Sequence, residues 1–320
     1  MTRILLLLLL PLFAGSQESA VPLVLFARGE VTYSAPEKRP INVYTGTYLA
    51  GPGQITVAEG AGVEIGHRNC YIRIEDPGTY ALTDLLAKEP PATGFLKRFI
   101  EFVRRGFDQS ATDQDLERAY LSNQGNSQGN VEGFGDAGLA GLKPFGGTLC
   151  PEPTPFTWPA AAADATYRVR IVDSLTDASL LSVVTKDTSV LVDLGALDLR
   201  DGGRYFWEVF PQPGAPARLG RPSASATGVR IRFTYREMPC EEVLADLRQT
   251  PFYRDSTTQE QRQLLEVMVL EEEGYLYAAD RLYQESIRQS TDAYPLRRNY
   301  AAFLARWNQR SAARDLIHPR

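Results

Sequence analysis

The sequence predicts a multi-domain, mainly β protein: a small β-roll or barrel, then a two-sheet sandwich, then a small α-helical hairpin domain at the C-terminus. Three observations predict it. Short apolar runs broken by glycine turns fill residues 21–87. Longer strands with alternating apolar residues fill 150–236, and after Pro239 the apolar period becomes helical. The chain has 320 residues, 43% hydrophobic and 23% charged, enough apolar material for several separate cores.

Residues 1–16 read as a secretory signal peptide. Arg3 precedes an apolar run at 4–10, and Ala14, Gly15 and Ser16 supply the small residues of a cleavage site. That run is shorter than the roughly twenty residues needed to cross a bilayer. The expectation is an exported protein, periplasmic or extracellular, working without an ATP or NAD pool and with no cofactor. A net charge of −5 argues against nucleic acid, since phosphate binding draws on clustered Lys and Arg.

Within 21–87, alternation is plain in Cys70-Tyr71-Ile72-Arg73-Ile74, and Cys70 reads as a buried thiol. Strands this brief must wrap around one another to bury anything. Ala27-Arg28-Gly29-Glu30-Val31, Gly46-Thr47-Tyr48-Leu49, Gly53-Gln54-Ile55-Thr56 and Ala61-Gly62-Val63-Glu64-Ile65 follow in order. With this spacing the segment resembles the FecR-type β domain of bacterial envelope proteins. The resemblance implies that fold and the periplasm. The family's cytoplasmic helical part and membrane span have no counterpart here, so its sigma-factor relay is not carried over.

Residues 88–122 form an amphipathic helical segment. Phe95, Phe99, Phe102 and Val103 make one apolar stripe over 94–107, and Lys97, Arg98, Arg104 and Arg105 decorate the other faces. A membrane-surface helix would look like this, but a helix packed over the open end of the β domain is the expectation; membrane contact is confined to this helix. Thr112 caps a second short helix over 112–121. Residues 123–149 read as a glycine-rich linker. Its Gly133-Phe134-Gly135-Asp136-Ala137-Gly138 is a literal G-x-G-x-x-G without the flanking strand and helix a dinucleotide site needs.

The sandwich, 150–236, carries its own pattern. In Leu199-Arg200-Asp201-Gly202-Gly203-Arg204-Tyr205-Phe206-Trp207-Glu208-Val209, the glycines allow a reversal. Tyr205 can then bury its ring while its hydroxyl bonds the turn backbone. This passage resembles the fibronectin type III domain, an immunoglobulin-like sandwich. Trp207 and Val209 share the inward face, whereas Phe206 and Phe210 point outward. Arg230 and Arg232 face Glu208 as an exposed pairing worth under about 1 kcal/mol. Cys150 and Cys240 flank the segment, but opposite poles of a sandwich would hold them apart, which weighs against a bridge needing Cα atoms within about 7 Å.

The region 237–320 reads as a short helix at 241–247, then helices at 258–273, 275–289 and 295–307, with Gly274 as the break and Glu271-Glu272-Glu273 as a solvated charge run. Gly274, Ala279, Tyr283 and Ser286 resemble the tetratricopeptide repeat over one and a half units. Such a piece must lean on a neighbour, because stacked repeats bury a continuous core only from about three units.

The two histidines, His67 in a turn and His318 in a frayed tail, lie far apart, and no catalytic or metal motif appears. The functional expectation is therefore a non-enzymatic envelope scaffold or sensor accessory that binds another envelope protein. Phe206, Phe210, Tyr275 and Tyr277 are its candidate contacts; catalytic, cofactor and metal residues are none. One alternative is a glycan or ligand sensor with a groove lined by Tyr44, Tyr48 and Tyr71; the other is a glycan-degrading enzyme working through paired carboxylates.

Overall fold

The computed structural model describes residues 21–318 apart from Asn69, 89–91, Thr93, Asn130, 133–140, 161–163, 213–228, Thr257 and 291–292. The leader at 1–16 and the G-x-G-x-x-G run at 133–138 lie outside the described residues. The chain is 40% helix and 29% strand, so the expectation of a mainly β protein gives way to a mixed one.

The first β unit holds β1 (Leu23–Arg28), β2 (Val31–Ser34), β3 (Ile41–Asn42), β4 (Gln54–Val57), β5 (Gly62–His67), β6 (Cys70–Ile74) and β7 (Gly78–Ala81). They form two sheets, β1-β5-β6 and β3-β2-β4-β7, all antiparallel, and among the described residues no barrel closes. Val24, Val31, Ile55, Val63 and Ile72 fill the space between them, as period-two alternation requires. Cys70 is half-buried rather than buried, because it pairs with His67 at the hairpin end.

α1 (Leu82–Lys88) closes this unit, and α2 (Gly94–Gln109) follows. The α2 stripe packs inside the molecule: Phe99 stacks on Phe26 of β1 at 6.5 Å between centroids, and Phe99, Phe102 and Val103 are buried. α3 (Asp113–Gly129) runs eight residues past the expected end at 121, so the linker reading fails for its first part. It fails again at 141–149. Leu142 enters the sandwich core, Phe145 lies against Phe303 and Trp307, and Lys143 Nζ sits 2.6 Å from Asp280 Oδ2.

The sandwich comprises β8 (Val131–Glu132), β9 (Thr148–Leu149), β10 (Pro153–Thr157), β11 (Tyr167–Asp173), β12 (Ser179–Thr185), β13 (Ser189–Asp193), β14 (Arg204–Pro211) and β15 (Val229–Tyr235). One sheet runs β12-β11-β14-β15-β8 with β9 also on β15; the other is β10-β13. Phe156, Val169, Ile171, Trp207 and Phe233 fill the core. The Tyr205 ring is buried and its hydroxyl accepts from Arg200 N at 2.8 Å, pinning the turn. The expectation against a Cys150–Cys240 bridge is overturned: the bridge forms, with Cα atoms 5.6 Å apart. The physical reason is β9, which lies parallel to β15 with Thr234 opposite Thr148, so both chains leave the sheet at one end.

The C-terminal helices are α4 (Ala245–Gln249), α5 (Pro251–Arg254), α6 (Gln259–Glu272), α7 (Leu276–Gln289), α8 (Tyr294–Arg306) and α9 (Arg310–Ile317). Thr258 Oγ1 caps α6 by accepting from Gln261 N, and Gly274 takes φ +79° at the break. These helices lean on α2 and α3 as well as on the first β unit, and the three share one core of Leu25, Phe99, Leu265, Tyr283 and Phe303. The hairpin reading thus undercounts the helical body, and the sandwich is inserted into it. Gly106 permits the close approach of α2 and α8: a Cβ there would stand 1.9 Å from Asn299 Oδ1. The expected frayed tail is instead α9, tied to α3 by Arg310 Nη1 and Glu117 Oε2 at 2.8 Å.

Candidate partner-binding cleft

Two of the four candidate contacts are buried. Phe206 is 5% exposed on the outer face of β14 because Arg230 and Arg232 lay their guanidiniums 4.3 and 5.4 Å from its ring centre. Glu208 beside it is buried rather than part of a solvated face. Arg230 Nε donates to its Oε1 at 2.6 Å, and Arg170 Nη1 stands 3.5 Å from its Oε2. Phe210 is half-buried near the end of the same strand. Tyr275, just before α7, is buried in the helical core. Only Tyr277 lines a cleft.

That cleft is built from the helical spacing of α7. Since Tyr275 and Leu276 turn into the core, Tyr277 falls outside it, and Arg281 and Glu285 follow at four-residue intervals on the same side. The facing wall is the Cys150–Cys240 bridge with Glu152 and Glu241. Leu244, Leu270 and Leu282 give it an apolar lining, and it encloses about 160 Å³. Burial pushes the Tyr277 hydroxyl pKa above its ordinary value.

Its charges are unevenly satisfied. Glu266 accepts from Arg248 Nε at 2.8 Å and from the Tyr253 hydroxyl at 2.7 Å. The first of these bonds holds the Arg248 pKa up. Arg281 Nη1 stands 3.8 Å from Glu152 Oε2. Both arginines of the cleft thus have a carboxylate, whereas among the described residues no cation pairs with Glu241 or Glu285. An apolar lining under a rim with spare acidic charge suits a polypeptide that offers an apolar side chain flanked by a basic one.

A larger groove, about 340 Å³, lies where the first β unit meets α6 and α8, lined by Phe26, Glu64, Arg73, Glu260 and Pro295 among others. Its buried carboxylate is spoken for: Glu64 accepts from Arg73 Nε at 3.1 Å and from Gln261 Nε2 at 2.9 Å. That is cross-strand and interface bonding, with little left for a ligand. The tyrosines of the sensor reading sit in different surroundings. Tyr44 is 66% exposed, the Tyr48 hydroxyl bonds Asp108, and Tyr71 packs edge-on against Phe252 at 5.5 Å.

His318 Nε2 lies 3.2 Å from Asp113 Oδ1, and among the described residues no group of His, Cys, Asp and Glu is spaced to hold a metal. Among them, too, no helix is long and apolar enough to cross a membrane. Sequence reasoning missed Arg281 and Glu285, whose i, i+4 row with Tyr277 was the available signal, and Arg248, which reaches the cleft from α4 and had none. It also missed Glu271, read as solvated. This carboxylate is 9% exposed, accepts from the Tyr283 hydroxyl at 2.8 Å and pairs with Arg306. No protein-family model matches the chain, and no curated protein matches it.

Proposed function

We propose that this chain is a non-enzymatic, exported envelope protein that holds a partner protein in the cleft between α7 and the Cys150–Cys240 bridge. The observation that carries the reading is the Tyr277–Arg281–Glu285 row, placed over an apolar lining with rim carboxylates, Glu241 and Glu285, that no cation pairs among the described residues; Glu285 accepts only from the neutral Gln289 amide, at 3.0 Å. Export is supported by the signal-like residues 1–16 and by a bridge of the kind that persists in oxidising compartments. The resemblances of 21–87 to FecR-type domains and of 150–236 to fibronectin type III domains agree with an envelope scaffold. The exposed-aromatic version of this reading, with Phe206 and Tyr275 as contacts, is replaced by the cleft.

The test is affinity purification of the tagged chain from envelope extracts, comparing the native sequence with Tyr277→Ala and Glu285→Lys. The native chain should retain one stoichiometric protein. Each substitution should reduce recovery at least tenfold while leaving the melting temperature within a few degrees. Equal recovery from all three chains contradicts the reading.

A further inference from the structure

The six-stranded sheet treats its two edges differently. On the β15 side, β8 and β9 cover the ladder; on the other side, no strand among the described residues pairs with the outer side of β12. Proteins that remain monomeric blunt such an edge with charge, proline or an inward-pointing Lys. β12, Ser179-Leu180-Leu181-Ser182-Val183-Val184-Thr185, has none of these. Val184 is 56% exposed, and Leu191 of β13, after the turn that leaves β12, is 69% exposed. The one irregularity is a register shift between Ile171 and Val172 that sets Leu180 aside, leaving 181–185 as a regular run.

The direction of the free backbone groups follows from the bonds of β11. Ser174 N donates to Arg204 O, and Gln212 N donates to Thr166 O, so even-numbered residues of this strand turn toward β14. Odd-numbered ones turn toward β12, as Asp173 N does in donating to Ala178 O. Leu181, Val183 and Thr185 lie opposite Ile171, Val169 and Tyr167, and so bond β11. The N–H and C=O of Ser182 and Val184 are left to the open edge.

We infer that β12 is a self-association edge, on which a second copy of this chain adds its own β12 antiparallel about a two-fold axis through Val183. In that register Ser182 faces Val184 of the second copy and Val184 faces its Ser182, so each pair exchanges both free backbone groups. Leu181 faces Thr185 of the second copy, and Val183 faces its own equivalent. Opposed residues share a sheet face, as an antiparallel ladder demands. Like charges never meet, because Lys186 falls opposite Leu180 of the second copy. The regular run stops before the Leu180 irregularity on both strands, which is why the axis falls on Val183 and not on its neighbours. A second copy is favoured over a foreign strand because the run is uncharged, so reversed on itself it sets no like charges together, and the outward groups of Ser182 and Val184 complement each other about the two-fold axis. The contact is small, so the association is weak and concentration-dependent.

Sedimentation velocity over a hundredfold concentration range tests this. The native chain should pass from monomer to dimer. Ser182→Pro removes an outward N–H while leaving the β11 ladder intact, and should stay monomeric with an unchanged circular dichroism spectrum. In a Cys70→Ser background, Val183→Cys should form a covalent dimer under mild oxidation, and Ser182→Cys should form at least tenfold less. A native chain that stays monomeric throughout overturns the inference, as does a dimer indifferent to Ser182→Pro. Should that variant not fold, equal cross-linking from positions 182 and 183 overturns it instead.

Discussion

Where the C-terminal helices meet the first β unit, Phe99 stacks on Phe26 and meets Phe252 edge-on, and leucines of β1 and α6 share one core. Where they meet the sandwich, the core does not run through. Tyr277 packs against the sandwich from outside, and the joint is made by Lys143 on Asp280, by Thr148 N donating to Gly274 O at 2.8 Å, and by the Cys150–Cys240 bridge. One seam is apolar and continuous; the other is mainly polar and covalent, its apolar part confined to Phe145, Tyr277 and the bridge itself. Burial makes the first seam cooperative, so the first β unit and the helices should unfold together. The second seam can carry an open cleft without endangering the fold, because a covalent tie restricts it where apolar area does not.

The most damaging way to break this contrast is Phe99→Ala, which empties the centre of the apolar seam. It should cost about 3–5 kcal/mol and lower the melting of the first β unit and helices together, while the sandwich keeps its own transition by hydrogen exchange. Removing the bridge with Cys150→Ser and Cys240→Ser should cost about 2–4 kcal/mol, since it closes a separation of 90 residues. That loss should fall on exchange protection at the sandwich seam and leave Phe99's surroundings unchanged.

Alkaline titration reads both seams, since burial also raises the hydroxyl pKa of Tyr277 at the cleft and of Tyr235 in the sandwich. Burial raises the hydroxyl pKa of Tyr71, Tyr283 and Tyr300, all in the first β unit and helices. A folded-state pKa above the unfolded one keeps stability level below about pH 10, the ordinary tyrosine value. Above it the unfolded hydroxyls ionise first, and stability falls by about 1 kcal/mol per tyrosine by pH 11. Chemical denaturation at pH 8, 10 and 11 reads this, and Tyr283→Phe should flatten the fall. The smallest effect is Tyr205→Phe, which loses the bond from Arg200 N and should cost about 1 kcal/mol within the sandwich alone.

What the sequence made legible were features with a local period. The α2 stripe, the Gly274 break and the Tyr205 corner were all readable, because each rests on residues a few positions apart. What it hid depends on distant partners. Phe145 and Lys143 sit in an aperiodic, glycine-rich stretch and gain their roles only from Trp307 and Asp280. Glu271 looked solvated because Arg306 lies 35 residues away. The bridge was argued against because the parallel β9 pairing has no signature in two residues, Thr148 and Leu149. At the cleft, Tyr277 was read as a contact on grounds of type, but its wall and acidic rim come from four separate segments.

The most direct test of the central claim, that a partner protein sits against α7, is photo-cross-linking in living cells with p-benzoylphenylalanine placed at position 281 and, as a control, at half-exposed Lys97 on α2. The account predicts a single discrete adduct from position 281 and none from position 97. No adduct from position 281, or the same adducts from both positions, would contradict it.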